Sequence, residues 1–220
     1  MKTLTPTRTM TCLLLAVLAS LASQSSFGTL LTIVNPSFEN PVLNNGGYTS
    51  DIPGWQQVGG AGVFWPDSGL FTGSVPDGNQ IGYINNASIW QILTSTLQPN
   101  TIYTLSFNVG WRIDDPLPPI YAANLLAGGT TLASVVTPVT PQQGYWATVT
   151  ATYTTGGTVI PGYLEIQLAN QGIDQFDFDN VSLNAKVSPV PEASTMLAGA
   201  LALLPVGLST LRMLRKRQVA

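Results

Sequence analysis

Asp177 and Asp179 stand two residues apart in the stretch Phe176-Asp177-Phe178-Asp179-Asn180-Val181-Ser182-Leu183. Alternate side chains of an extended chain share a face, so the two carboxylates point one way and Phe176 and Phe178 the other. Val181 and Leu183 fall on the opposite parity from the phenylalanines, so a β-bulge is expected at Asp179-Asn180. A bulge re-aims a carboxylate beside a sheet edge, where a hard cation can be held. Calcium takes roughly six to eight oxygens, which two carboxylates and nearby backbone carbonyls can supply. Glu39 and Asp179 are therefore expected to ligate a structural Ca2+. The competing expectation is a capped turn in which each acid accepts backbone N–H groups.

A second group surrounds Arg112, which follows Trp111 and precedes Asp114-Asp115. A guanidinium forks to a carboxylate or to sugar hydroxyls, and aromatic faces stack on the apolar side of a pyranose. Trp111, Arg112, Asp114 and Tyr121 are expected to form a sugar-binding surface, with Trp146 and Trp65 as platforms. Alternatively, Trp111 ends a core face and Arg112 simply pairs with Asp114 or Asp115.

Catalysis is not expected. The chain has no histidine, and its single cysteine is Cys12, which excludes Ser-His-Asp, Cys-His and His-ligated zinc chemistry. Glycoside hydrolysis needs two carboxylates set across a cleft, one of them with a raised pKa, and neither Asp177/Asp179 nor Asp114/Asp115 declares such a gap.

The elements that must position these residues read as strands. In residues 101–111, Tyr103, Leu105, Phe107, Val109 and Trp111 alternate with Thr104, Ser106 and Asn108; in 145–154, Tyr145, Ala147, Val149, Ala151 and Tyr153 alternate with Trp146 and threonines. Leu164, Ile166 and Leu168 mark a third strand, and further strands are expected at 30–34, 80–84, 89–93, 120–126, 132–136 and 176–183. No stretch of the body has a helical apolar period, so an all-β sandwich is the economical fold. With 9% charged residues, 21 glycines and 16 prolines, the composition is that of an exported, turn-rich protein. The body carries ten acids against Arg112, so it repels phosphate backbones and nucleic-acid binding is not expected.

The ends read differently. Residues 1–22, with Lys2 and Arg8 before an apolar run, are expected to be a signal peptide. The folded domain is expected at 29–185, a linker and sorting motif at 186–192, and a single transmembrane helix with a basic tail at 193–220.

Val190-Pro191-Glu192-Ala193, followed by an apolar run and Arg215-Lys216-Arg217, resembles the PEP-CTERM sorting signal, although the second proline is replaced by Ala193. That resemblance implies processing by an exosortase-type enzyme, with Val190, Pro191 and Glu192 as the sorting motif and the C-terminal helix in the membrane. Asn35-Pro36-Ser37-Phe38-Glu39, Ile52-Pro53-Gly54-Trp55, Ile89-Trp90-Gln91-Ile92-Leu93, Pro99-Asn100-Thr101-Ile102-Tyr103 and Phe178-Asp179-Asn180-Val181-Ser182-Leu183 resemble jelly-roll modules of the galactose-binding and carbohydrate-binding type. In that family the acids matching Glu39 and Asp179 ligate calcium. Together these readings imply an exported, non-catalytic surface protein that associates with extracellular polysaccharide, the alternative being a structural or adhesion protein without a sugar site.

Overall fold

The computed structural model describes residues 28–188. They fold as strands without helices: β1 (Thr29–Leu30), β2 (Tyr48–Thr49), β3 (Gln56–Phe64), β4 (Ile81–Thr96), β5 (Thr101–Gly110), β6 (Tyr121–Ala127), β7 (Thr130–Val136), β8 (Trp146–Thr154), β9 (Tyr163–Asn170) and β10 (Phe176–Val187). The main path runs β7-β6-β9-β4-β10-β5-β8, with β3 also on β4, β2 on β3 and β1 on β10, and every pairing is antiparallel. The two ends of this path, β7 and β8, come into contact, so the sheet folds back on itself as a nearly closed sandwich.

The long β4 makes that fold-back possible. Its first residues pair with β10 and its later ones with β9, so one strand serves both layers. Asn86, at φ 46°, lies between the two pairings, and the expected break at this point is therefore a kink within one continuous strand. The alternation in β5 and β8 appears as expected: Tyr103, Leu105, Phe107 and Val109 face inward against Val149 and Ala151. From the opposite layer come Ala123 and Leu125 of β6 and Leu164, Ile166 and Leu168 of β9. Burying each large aliphatic or aromatic side chain contributes about 1.5–3 kcal/mol.

The bulge of β10 is present. The β10–β5 register shifts between Asp179 and Ser182, Asn180 takes φ 53°, and the Val181 N–H donates to Pro36 O at 2.9 Å. The slip lets Phe176 and Phe178 on one side of it, and Val181 and Leu183 on the other, all face the core.

Among the described residues no helix is long and apolar enough to cross a membrane. The expected signal peptide, the sorting motif Val190-Pro191-Glu192 and the C-terminal helix lie outside the described residues.

Candidate functional site

With Phe176 and Phe178 inward, Asp177 must face outward, and the register places it in a row that crosses the strands. Gly62 of β3 pairs with Tyr83 of β4, Tyr83 with Asp177 of β10, Asp177 with Gly110 of β5, and Gly110 with Trp146 of β8. Facing residues of antiparallel strands share a side of the sheet, so this row forms one surface. Its glycines are places of close approach. A Cβ on Gly62 would lie 2.6 Å from the Tyr83 hydroxyl, and one on Gly110 would lie 2.8 Å from Phe71 and 2.9 Å from Trp146.

Residues 65–80 roof this surface. Trp65 N–H donates to Gly47 O at 2.9 Å, Thr72 N–H to Gly144 O at 2.7 Å, and Leu70 O accepts from Ile113 N–H at 2.9 Å. Between roof and sheet lies a recess of about 470 Å³. Tyr48, Phe64, Leu70 and Tyr83 give it apolar walls; Asp67, Asn85, Arg112, Asp114 and Gln175 supply its polar groups.

Asp177 sits behind that wall, fully buried. Burial pushes its carboxyl up to about 7, against the opposing pull of the Gln175 hydrogen bond and the Arg112 charge. Gln175 Nε2 donates to Asp177 Oδ1 at 2.5 Å, whereas Oδ2 has no partner among the described residues. A carboxyl of this kind keeps its proton near neutrality and has a free O–H to give.

Arg112 grips Asp114 with both edges of its fork, Nε to Oδ1 at 2.9 Å and Nη2 to Oδ2 at 2.5 Å. Its guanidinium carbon lies 5.9 Å from the centre of the Phe64 ring. This hydrogen-bonded pairing holds Asp114 below the usual carboxylate range. Trp111 Nε1 donates to Asp115 O at 3.1 Å. Arg112 thus pairs with Asp114, the alternative that the sequence offered, and Trp111 reaches the Asp115 backbone and is not among the residues lining the recess. Trp146 faces Gly110 across the β5–β8 ladder and is tilted against Phe71 at 4.7 Å, with its Nε1 buried and without a hydrogen-bond partner among the described residues. Tyr121 is in the core on the other face, stacked on Phe176 at 4.9 Å, with its hydroxyl donating to Val139 O. Trp65 lines a second hollow of about 350 Å³, and Asp67 borders both.

Glu39 and Asp179 are each drawn to the C-terminal end of the roof. Glu39 Oε1 accepts from Asn79 N–H at 2.8 Å and Gln80 N–H at 2.7 Å; Asp179 Oδ2 accepts from Asp77 N–H at 2.8 Å and its Oδ1 from Asn180 N–H at 2.7 Å. Burial pushes Asp179 up to about 8, and the charges of Asp77 and Glu39 add to the rise. Among the described residues no three acidic or thiol side chains form a ready-made metal cluster.

A family model described as HpiC1-like, HpiC1 cyclase, matches residues 29–184. The fold is similar to that of an apo cyclase from Fischerella sp., with a TM-score of 0.68 and 26% identity over 74% of this chain and 98% of that one. It is also similar to the Stig cyclase Fisc from Fischerella sp. TAU, solved with (3Z)-3-(1-methyl-2-pyrrolidinylidene)-3H-indole, at TM-score 0.66 and 27% identity over 74% of this chain and all of that one. The same figures hold for a cyclase from that strain solved with 4-(1H-indol-3-yl)butan-2-one. No curated protein matches the chain.

These findings overturn several expectations. The family match covers the body of the chain, so the reading as a PEP-CTERM sorting-signal protein with a carbohydrate-binding-like ectodomain gives way to a cyclase family. The non-catalytic role and the surface or biofilm function go with it. The ligands of the similar structures are indole compounds, and neither an exosortase-type enzyme, a polysaccharide nor a membrane partner has support. The sequence reading set Asp177 aside because a glycosidase needs a second carboxylate across a cleft. A cyclisation started by one buried acid has no such requirement. Tyr48, Phe64, Tyr83 and Gln175 went unnoticed, because their convergence depends on the register of β2, β3 and β4 and not on any local pattern.

Proposed function

The chain belongs to the HpiC1-like family, whose description is HpiC1 cyclase, and from that membership we propose that it is a cyclase whose substrate carries an indole-type ring bound in the recess beside Asp177. The observation that carries this reading is the Asp177 carboxyl itself: fully buried, with Oδ2 unpartnered among the described residues, next to the aromatic walls of Tyr83, Phe64 and Tyr48. The indole compounds held by the similar Fischerella cyclases support the choice of ring.

The chemistry follows from the residues. Asp177 Oδ2–H gives its proton to a π bond of the substrate, which leaves a cation and a carboxylate. A second π bond of the same molecule attacks the cation and closes a ring; loss of a proton to the Asp177 carboxylate restores both acid and double bond. Substrate and product are isomers, so no co-reactant is consumed. Aromatic faces stabilise the passing cation, and the recess withholds water that would otherwise capture it. Because Oδ2 is covered, the substrate must displace part of the Tyr83–Gln175 wall to reach it. Arg112 and Asp114 form the polar rim, with Trp111 holding the Asp115 backbone behind them. Trp146 closes the row beyond Gly110.

Glu39 and Asp179 are read as the carboxylate holders of a structural calcium, with backbone carbonyls expected to supply the remaining oxygens. The fit rests on Asp179, a buried carboxyl raised first by that burial and further by the charges of Asp77 and Glu39, which a divalent cation at the end of the roof would offset. The calcium would neutralise these carboxylates and fasten the roof. The sandwich is read more finely as a jelly roll over 29–185, and the protein as exported, on the apolar run after Lys2 and Arg8.

The test of the function uses the full chain and an indole bearing an alkenyl side chain. The expected result is a product of unchanged mass and altered retention, with Asp177→Asn lowering turnover by about 10²–10⁴-fold. Binding of 4-(1H-indol-3-yl)butan-2-one, followed by tryptophan fluorescence, should survive that substitution. An Asp177→Asn protein as active as the parent would sink the reading.

A further inference from the structure

Among the described residues two buried side-chain polar atoms have no hydrogen-bond partner, Asp177 Oδ2 and Trp146 Nε1. They belong to one row. Asp177 faces Gly110 across the β10–β5 ladder and Gly110 faces Trp146 across β5–β8, so both side chains rise from the same side of the sheet with a bare glycine between them. The six-membered ring of Trp146 leans back over that glycine: a Cβ on Gly110 would lie 2.9 Å from Trp146 Cη2 and 3.0 Å from its Cζ3, and 2.8 Å from Phe71 Cε1. Phe71, brought by the roof, thus fills the space over Gly110 and packs on the Trp146 ring. Strands β10 and β8 stand two spacings apart, about 10 Å, which is the span of an indole ring with a short side chain.

An indole nitrogen is a donor and nothing else, so an acceptor alone satisfies it. Two other tryptophans have theirs: Trp55 Nε1 donates to Asn35 O at 3.3 Å and Trp111 Nε1 to Asp115 O at 3.1 Å. Trp146 departs from them. The residue is only partly buried, yet the hidden part includes its one polar side-chain atom, the reverse of the usual arrangement in which the ring is covered and the N–H reaches water or a partner. A buried donor left bare is costly, and a bound acceptor recovers that cost. An anion is a poor occupant: the one guanidinium of the described residues, Arg112, is already forked onto Asp114, and the Trp146 ring packs on Phe71 and the Gly110 backbone. Resting on the reading of the recess as the seat of an indole-type substrate, we infer that Trp146 is a specificity-determining residue whose Nε1–H binds an uncharged acceptor, a carbonyl, hydroxyl or imine group, on the part of the substrate that lies beyond Asp177. The two bare atoms are then the ends of one buried site. A substrate that occupies it takes the place of the Phe71 ring over Gly110, and the Trp146 donor selects among substrates by the acceptor they carry. The protonation state of Asp177 plays no part in this selection.

The experiment compares two probes by calorimetry on the full-length protein: 4-(1H-indol-3-yl)butan-2-one, and 3-butylindole, which has the same skeleton without the oxygen. Trp146→Phe keeps a ring over Gly110 and removes the N–H, and it is expected to weaken the ketone about 5–50-fold and 3-butylindole less than about twofold. In the parent, isotopically labelled at its tryptophan nitrogens, the Trp146 Nε1–H resonance should move further downfield with the ketone than with 3-butylindole. That resonance is the one missing from Trp146→Phe, or from Trp146→Tyr should the phenylalanine variant fail to fold. Equal weakening of the two probes in Trp146→Phe, or a parent in which no tryptophan Nε1–H distinguishes them, overturns the inference and leaves the cyclase reading standing. A parent that binds neither probe overturns instead the reading of the recess.

Discussion

Asp177 faces Tyr83 directly across the β4–β10 ladder, and the Tyr83 ring is part of the recess wall that hides the Asp177 carboxyl from water. Facing side chains in an antiparallel pair have Cβ atoms about 5 Å apart, so the ring is the nearest cover the acid has from that strand. Burial is the main reason that the acid is pushed up to about 7. Tyr83→Ala should therefore bring Asp177 down toward the ordinary carboxylate range. If the protonated acid is what works, activity of the parent falls as pH rises through about 7, and the variant's fall begins at lower pH. A pH–rate profile checks this, and an unshifted limb would separate Tyr83 from the acid.

The same burial has a stability signature. Asp177 rises from 3.8 to about 7 on folding, so the unfolded chain ionises first as pH increases. Between those values the folded state binds the extra proton, and each pH unit costs it about 1.4 kcal/mol of stability relative to the unfolded chain. Below the window both states are protonated and nothing is lost; above it the loss is complete. Asp177→Asn should be about 2–4 kcal/mol more stable than the parent at pH 8, with the gap closing toward pH 4. Urea unfolding at both pH values measures it, and equal gaps would contradict the assignment.

How much of this was legible beforehand depended on whether a pattern was local. Tyr103, Leu105, Phe107 and Val109 announced β5 by alternation, and the parity slip from Phe178 to Val181 announced the β10 bulge. β3 announced nothing: Gly59, Gly60 and Gly62 interrupt any alternation, and at Gly62 a Cβ would meet first the Thr49 carbonyl oxygen and then the Tyr83 ring. The strand expected at 30–34 shrank to Thr29–Leu30, since the Val34 amide and carbonyl turn instead to the Gln91 side chain. Parity alone put Asp177 on an outer face, which ordinarily means water. It is nevertheless fully buried, bonded to Gln175 and facing Tyr83 across the ladder, and parity cannot foresee that cover. Tyr121 erred in the opposite direction, an aromatic near Arg112 in sequence that the β6 register turns into the core.

Gly110 permits Phe71 and Trp146 to close over the backbone beside Asp177. In Gly110→Ala the new methyl would meet Phe71 Cε1 at 2.8 Å and Trp146 Cη2 at 2.9 Å, and two packed rings have little room to yield. A loss of about 1–3 kcal/mol is expected, which thermal unfolding resolves as several degrees. Gly156→Ala is the control, because a Cβ there meets nothing within 4 Å. Similar losses in the two variants would argue against the tight contact.

The acids at the end of the roof predict a cation effect whose pH dependence separates it from unspecific salt. Without a cation, Asp179 holds its proton up to about 8, because it is buried and stands near Asp77 and Glu39. Calcium takes carboxylates only in their ionised form, so binding must expel that proton, and it becomes easier as pH rises. A ligand at a hundredfold excess over its dissociation constant adds about 2.7 kcal/mol of stability. Calcium against EGTA should therefore raise the unfolding temperature, and by more at pH 8.5 than at pH 6. Asp179→Asn removes the proton that binding must displace along with one ligand, so its response should be small and flat with pH. A parent protein that melts at the same temperature with calcium and with EGTA, at both pH values, would return Glu39 and Asp179 to the simpler role of capping the backbone amides of Asp77, Asn79, Gln80 and Asn180.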